Sequence, residues 1–170
     1  MTRAELEAAV HAGQPIQKQS LTGIDLSGAR LSGGVFEACG FSASNLRGVT
    51  FQESSLIGCD LSRADLAEAD LHLTAFIECA FEGASLDGAN LVGATFNECN
   101  MNGARFHGAK IPPGAGFVKS DLRGASFRGS IVQRAVFQGC ATAGIDFGGA
   151  TLKDVALMGS DLTKANFAGA

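Results

Sequence analysis

Tryptophan and tyrosine are both absent from the 170 residues, and only three prolines and three methionines occur. The large aromatic surface is left to twelve Phe, and with 23 Gly the 46% hydrophobic content is made up largely of small side chains. That composition suits a narrow, repetitive interior better than a broad globular one. No uninterrupted run of about 18 apolar residues is present, which argues against a membrane-spanning helix. Met1-Thr2-Arg3-Ala4-Glu5-Leu6 turns acidic where the apolar segment of a signal peptide would begin. Charge is scarce too: the net value of −4 is too small for a supercharged acidic protein and has the wrong sign for a general nucleic-acid binder. Five Cys is an odd number without disulfide-type spacing and points to a reducing compartment. A soluble, cytoplasmic, single-domain chain without membrane contact is therefore expected.

What is present is a beat of five. Stepping from Leu66 in both directions lands on Leu21, Leu26, Leu31, Phe36, Phe41, Leu46, Phe51, Leu56 and Leu61, then on Leu71, Phe76, Phe81, Leu86, Leu91, Phe96, Met101, Phe106 and Ile111. Across Pro112-Pro113-Gly114-Ala115-Gly116 it slips by one residue, resuming at Phe117, Leu122, Phe127, Val132 and Phe137, then Phe147, Leu152, Leu157, Leu162 and Phe167. All twelve Phe lie on the beat, as do fourteen of the sixteen Leu. Neither a helix of period 3.6 nor a plain strand of period 2 produces this, so the chain is an internal repeat.

Two residues before each large centre stands a small one, among them Ala29, Cys39, Ser44, Cys59, Ala64, Cys79, Ala84 and Cys99. By strand alternation these two positions point the same way, while the positions between and after them carry nearly all the polar side chains. Two inward residues per five, then a turn, make one side of a polygon. The environment recurs every twenty residues: Cys39, Cys59, Cys79 and Cys99 form one column, continued after the slip by Ser120 and Cys140. The polygon is therefore four-sided. A column of Gly28, Gly48, Gly88, Gly108, Gly129, Gly149 and Gly169, interrupted by Glu68, predicts type II turns along one edge. The edge carrying Ala38, Gly58, Glu78, Glu98 and Lys119 is expected to turn differently.

Ahead of the repeat, Thr2-Arg3-Ala4-Glu5 has the form of a capping box, and Gly13 and Pro15 follow at the other end. One helix over about residues 3–12 is predicted, its Leu6, Ala9 and Val10 lying over the exposed edge of the first repeat. Residues 1–19 are read as cap and linker, and residues 20–170 as the repeat, with an extra residue at a corner within 112–116.

The pattern Ala-Asp-Leu-x-x, seen in Ala64-Asp65-Leu66 and Ala69-Asp70-Leu71 and loosened elsewhere to Cys/Ser/Ala-x-Leu/Phe, resembles that of the bacterial pentapeptide-repeat proteins over roughly residues 20–170. The resemblance implies an all-β fold, a right-handed quadrilateral parallel β-helix, the handedness coming from the family and not from spacing. Thirty pentapeptides at about 4.8 Å per coil would build a rod on the order of 36 Å long. Departures are Thr142 at a centre, Ile145 and Val155 at small positions, and Gly34, which leaves a small position empty; the last coils should pack less regularly.

Candidate chemistry is thin. The Cys column occupies inward positions otherwise held by Ala and Ser, so its members read as space-fillers whose parallel stacking does not suit disulfides. His11, His72 and His107 fall in three unrelated settings, and the glycine runs introduce no helix able to hold phosphate. No catalytic residue, cofactor or metal ligand is expected, and the chain is not read as an enzyme.

The surface charge, by contrast, is unevenly laid down. Residues 53–82 hold Glu53, Asp60, Asp65, Glu68, Asp70, Glu78 and Glu82 against Arg63, a net of −6. Residues 105–134 hold Arg105, Lys110, Lys119, Arg123, Arg128 and Arg134 against Asp121, a net of +5. With coils of twenty residues, each stretch wraps the rod, giving an acidic and a basic belt that form the candidate interaction surface. The resemblance implies one known activity, mimicry of duplex DNA in binding a type II topoisomerase (gyrase), with quinolone resistance in some members; the acidic belt fits it and the basic belt does not. The segment from Ala12-Gly13-Gln14-Pro15-Ile16 to Ala29 resembles the opening of pentapeptide proteins associated with bacterial type VI secretion clusters. A protein-binding scaffold, a secretion accessory, is thus expected ahead of a DNA mimic. The partner is another protein and not nucleic acid itself, and the open last coil is expected to form a homodimer through the C-terminal end.

Overall fold

The computed structural model describes all 170 residues. It opens with α1 (Arg3–His11), capped as its sequence requires: the Thr2 hydroxyl accepts from the Glu5 N–H at 3.3 Å, and the Glu5 carboxylate accepts from the Thr2 N–H at 2.7 Å. Leu6 and Val10 are buried against the first coil. The cap supplies more than an apolar cover. Within the solenoid each coil exchanges main-chain hydrogen bonds with the next, as when the Gly28 N–H donates to Arg47 O and the Thr50 N–H to Ala29 O. The first coil has no coil before it, and two charged side chains take that role. Arg3 donates to Ser27 O at 2.8 Å and Gly28 O at 3.0 Å, and Glu7 accepts the Arg30 N–H at 2.9 Å.

The remainder is the expected right-handed quadrilateral parallel β-helix, of about seven turns. One side is a continuous eight-stranded parallel sheet of β1 (Ile16–Gln17), β2 (Val35–Glu37), β3 (Ser55–Ile57), β4 (Ala75–Ile77), β5 (Thr95–Asn97), β7 (Gly116–Val118), β9 (Val136–Gln138) and β11 (Ala156–Met158). We call it the sheet face. The other three sides pair mostly through single bridges between residues twenty apart, such as Asp25↔Asn45 and Asp60↔Ala80. On the fourth side β6 (Lys110–Ile111), β8 (Ile131–Gln133) and β10 (Thr151–Lys153) form a three-stranded sheet. The ladder begins one side before Leu21, at Ile16, which is buried and pairs with Phe36. Gln14 holds the position two before it, so the small-then-large signature is missing there.

The centres and the small residues before them, with Leu6 and Val10 of α1, fill the interior as one cluster of 47 buried residues, and eleven of the twelve Phe are fully buried. Columns of identical spacing let rings stack along the axis: Phe76–Phe96 at 4.9 Å, Phe96–Phe117 at 5.0 Å and Phe117–Phe137 at 4.7 Å, all within 8° of parallel. Each such pair is worth about 0.5–1.5 kcal/mol beyond its burial. At Gly34 a Cβ would lie 2.5 Å from the Phe36 ring, so the site that looks empty in sequence is filled by its neighbour's side chain. Packing loosens at the end of the rod, where Leu152, Val155 and Leu157 are only partly buried and Phe167 is 40% exposed.

The corners account for the glycines. The residue two after every centre but Ile111 has positive φ, along all four edges, including thirteen residues that are not Gly. On the other three edges a hydrogen bond closes the turn, as from the Ala29 N–H to Leu26 O at 2.9 Å across Gly28 (φ +65°), the type II pattern, except after Val132 and Leu152. On the edge carrying Ala38, Gly58, Glu78, Glu98 and Lys119 no such bond follows Phe36, Leu56, Phe76, Phe96 or Phe117. The extra residue lies between Ile111 and Phe117, where the pairing distance changes from twenty (Asn90↔Lys110) to twenty-one (Phe96↔Phe117) and Gly114 takes φ +98°.

Candidate interaction surface

Outward positions fall on either side of each centre and at the corners, so the charged residues are carried on a backbone that the ladder holds rigid. The acidic belt reaches every side: Asp60 and Glu82 flank Leu61 and Phe81, Asp65 and Glu68 adjoin Leu66, Glu53 and Asp70 lie by Phe51 and Leu71, and Glu78 stands at a corner of the sheet face. Glu53, Arg63, Glu68 and Glu78 all hold left-handed backbone, with φ between 54° and 60°.

The two belts differ in how their charges are used. Five of the six basic residues are held by carboxylates. Arg105 pairs with Asp87 (3.4 Å), Lys119 with Glu98 (3.3 Å), Arg128 with Asp146 (3.1 Å), Arg134 with Asp154 (3.7 Å) and Arg123 with Asp121 in its own coil. Of the six, Lys110 alone has no such partner. In the acidic belt Asp65 and Glu68 share Arg47, at 3.5 and 2.8 Å, while Glu53, Asp60, Asp70, Glu78 and Glu82 have no basic group within ion-pair distance. Exposed pairs like these add about 0–1 kcal/mol to stability. Their effect on local potential is the larger matter: the basic belt is cancelled by acids that stand mostly outside residues 105–134, whereas the acidic belt stays open.

Several carboxylates also organise backbone. Asp60, Asp65, Asp70 and Asp146 each accept the N–H two residues on, between 2.8 and 3.2 Å. The Arg123 guanidinium holds the Asp121 carboxyl below its ordinary range. At Asp146 partial burial acts to raise the carboxyl, but the Gly148 N–H, Arg128 and Asn166 outweigh it and the result is lowered.

His107 is less isolated than its sequence position indicates. Its Nε2 lies 2.8 Å from Ser126 Oγ, its Nδ1 4.0 Å from Asp87 Oδ1, and its N–H donates to Asp87 at 2.9 Å. Spacings of nineteen and twenty residues, once the coil length is known, are the signal that finds such neighbours. The arrangement lacks what acyl transfer requires: the Ser126 and Phe127 N–H groups are committed to Ala104 O and Asp146 O, and Nδ1 is beyond hydrogen-bond reach of its carboxylate. The two surface grooves are open and lined almost wholly by polar residues and Gly. The larger, about 550 Å³, is lined only by Ser42, Asp60, Ser62, Arg63, Glu82 and Gly83. No group of three or more His, Cys, Asp or Glu is placed to hold a metal ion, and no helix is long and apolar enough to cross a membrane.

The Cys column does more than fill space. Each thiol lies against a carbonyl of the preceding coil that its open turn does not use and that otherwise takes only a ladder bond: Cys59 Sγ is 3.5 Å from Phe36 O, Cys79 Sγ 3.3 Å from Leu56 O, and Cys140 Sγ 3.3 Å from Phe117 O. The sulfur also meets the other half of that turn, the Cys59 N–H donating to Cys79. Hydrogen bonding to Cys59 and burial push the Cys39 thiol upward, and burial raises Cys140.

No curated protein matches the chain by sequence. Among solved structures it is similar to HetL, a pentapeptide repeat protein involved in heterocyst differentiation regulation from the cyanobacterium Nostoc sp. strain PCC 7120, with 21% identity, a TM-score of 0.59 and coverage of 98% of this chain and 94% of that one. A pentapeptide repeat protein from the Arabidopsis thaliana thylakoid lumen is 30% identical over 55% of this chain and 65% of its own, with a TM-score of 0.53. QnrB1, a plasmid-mediated fluoroquinolone resistance protein, is 21% identical with a TM-score of 0.53, over 97% of this chain and 87% of its own. Two family models also match, a pentapeptide repeat region at residues 29–106 and pentapeptide repeats at residues 143–170. Five-residue beat, four-sided coil and matching models agree: the chain belongs to the pentapeptide-repeat proteins.

Proposed function

We propose that the chain is a non-enzymatic protein-interaction module, a cytoplasmic scaffold whose rod surface binds another protein. The observation that carries this reading is the open acidic belt: Glu53, Asp60, Asp70, Glu78 and Glu82 stand on rigid backbone with no basic partner, while the basic residues are largely paired. Asp70 is held by Gln52 and Asn90, and at the others a partner with a basic surface gains the ion pairs that this chain leaves unmade. The resemblance of the opening segment supports a place as an accessory of a bacterial secretion system. The exposed Leu162 and Phe167 of the last coil support self-association through the C-terminal end.

A second reading, a DNA mimic that binds a type II topoisomerase, gains from the same pairing, because a cancelled basic belt repels a DNA-gripping site less than a free one. It ranks below the scaffold because the open carboxylates cover only the coils of residues 53–82, whereas duplex DNA is negative along its length. A gyrase supercoiling assay, with and without a quinolone, separates the two. Inhibition or protection at low micromolar protein, abolished by neutralising Asp60, Asp65, Glu68 and Asp70 together, selects the mimic. No effect on gyrase, with a specific protein partner whose binding falls with salt and with the same four changes, selects the scaffold.

A further inference from the structure

Surface binding leaves the thiol column unused. Cys39, Cys59, Cys79 and Cys99 stand in four successive coils, unpaired and at most 2% exposed. They are copies of one another by translation along the axis. In each, Sγ meets the same two carbonyls, one twenty-three residues back and one two residues back, at 3.3 to 3.6 Å. Repeated contacts of this kind mean a repeated rotamer, so neighbouring sulfurs lie one coil apart, about 4.8 Å, along a single line. Each thiol interacts with the next, Cys39 with Cys59, Cys59 with Cys79 and Cys79 with Cys99.

A metal–thiolate bond is about 2.3 Å, and two such bonds in line span about 4.6 Å, close to one coil step. We propose that successive thiols of the column hold a soft divalent cation in linear, two-coordinate geometry, one ion between Cys39 and Cys59 and a second between Cys79 and Cys99. The surroundings select the ion. Thiolates prefer soft metals. Zinc takes four ligands, and a pair of thiols among Phe and Leu centres supplies two. A monovalent ion between two thiolates leaves a net negative charge in an apolar core, which is costly. Mercury(II) accepts two ligands in line and is neutral with two thiolates. Two S–H bonds break and two S–Hg bonds form, both protons pass to solvent, and no electron is transferred.

The coil around the ion stays satisfied. Carbonyls that lose a thiol hydrogen, such as Leu56 O, keep their ladder bonds. The N–H groups of Cys39, Cys59 and Cys79 still donate to the sulfur of the following coil, as suits a thiolate. Ser120 ends the run, so Cys140 has a hydroxyl in the coil before it and no thiol partner. Because the thiols are buried, the ion enters only as the coils open, and loading is slow.

The test incubates the intact, reduced chain with mercuric chloride and then strips ions held by a single sulfur with excess glutathione. Native mass spectrometry is expected to find two ions retained by the wild type, and two by Cys140→Ser. Two variants that each lose two thiols separate adjacency from number. Cys39→Ser/Cys59→Ser keeps the neighbours Cys79 and Cys99 and retains one ion, whereas Cys59→Ser/Cys99→Ser leaves Cys39 and Cys79 two coils apart and retains none. Serine already stands in this column at Ser120, so both variants keep the coil. X-ray absorption of the loaded wild type should show two sulfurs at about 2.3 Å and no further ligand. The proposal is overturned if the wild type retains no ion, if the two double variants retain the same number, if the ion has four ligands, or if zinc survives the same wash.

Discussion

The hydroxyl of Ser120 accepts the Cys99 N–H at 3.1 Å and lies 3.2 Å from Phe96 O, bridging the two main-chain groups that a closed turn would have joined to each other. The thiols of Cys59, Cys79 and Cys99 occupy the equivalent place in the coils before it. In this column the small inward residue is a polar clip across an open turn, so its chemistry matters as well as its volume. Cys79→Ser is expected to be nearly neutral. Cys79→Ala removes the sulfur from Leu56 O, which keeps its ladder bond, and leaves the Cys59 N–H without a partner, so it should cost about 1–2 kcal/mol. Cys79→Phe overpacks the column, also by about 1–3 kcal/mol. Denaturant midpoints of the three variants give the order, and an Ala variant as stable as the Ser variant would remove the clip.

The same burial governs thiol reactivity. All five Cys are buried and unpaired, and Cys39 and Cys140 are raised above the ordinary thiol range. Cys99 is lowered by its hydrogen bond to Cys79, so burial, which denies access to all five, is what decides: the native protein should react with a thiol-specific reagent at pH 8 only as fast as it opens. Five equivalents should be consumed promptly in denaturant. Rapid labelling of the native chain would contradict this packing.

At the other end of the rod, Arg3→Ala removes two donors to Ser27 O and Gly28 O, and Glu7→Ala removes the acceptor of the Arg30 N–H. Each loss should cost about 1–2 kcal/mol, less than a buried charged hydrogen bond because the site is partly wet. Hydrogen exchange should show the damage as faster exchange at Arg30, with Asp70 and Asn90 unaffected.

Acid should weaken the rod through carboxyls that are lowered in the folded state. Those of Asp121 and Asp146 are held down by hydrogen bonds and by Arg123 and Arg128. A group lowered on folding contributes stability above its unfolded pKa of about 3.9 and loses it as pH falls through the folded value. Stability should therefore be level from pH 7 to about 5 and decline below about 4. Asp146→Asn should flatten that decline, as read from unfolding midpoints across the range.

The corners offer a gain in place of a loss. Glu53 sits at φ +55° with no ion pair, and Glu53→Gly relieves the left-handed backbone. Part of the relief is offset by the extra freedom of Gly in the unfolded chain, leaving a stabilisation of up to about 1 kcal/mol. If binding to a basic partner falls in the same variant, the carboxylate is held there for contact and not for folding.

How much of this could be read from the chain depended on whether a feature repeats. Leu66, Phe96 and their equivalents announce the coil because each obeys the same packing rule, and the helix at Thr2–Glu5 is announced by a local cap. The turn at Phe36 was legible as different only because its column breaks the glycine pattern; what satisfies its backbone was not, since Cys59 stands twenty-three residues away and Cys, Ser and Ala look alike as small inward residues. Arg105 and Arg128 read as a free basic stretch because a window along the sequence omits Asp87 and Asp146, their neighbours along the axis. Ser126 and His107 were missed for the same reason. Contacts that run between coils follow a step near twenty, and single-residue chemistry gives no hint of which side chains reach that far.

The extra residue near Pro112-Pro113 shows what the rod conserves. Only pairs that straddle it are twenty-one apart, later coils return to twenty, and Phe117 stacks on Phe96 at 5.0 Å just as Phe96 stacks on Phe76 at 4.9 Å. The surplus stays in one corner and the storey height is untouched. Such a rod is graduated like a ruler, in steps of about 4.8 Å. Excising one whole turn of twenty residues away from Pro112 would bring its ends one graduation closer while leaving each end chemically as it was, so the separation of two docking sites on it can change without redesigning either.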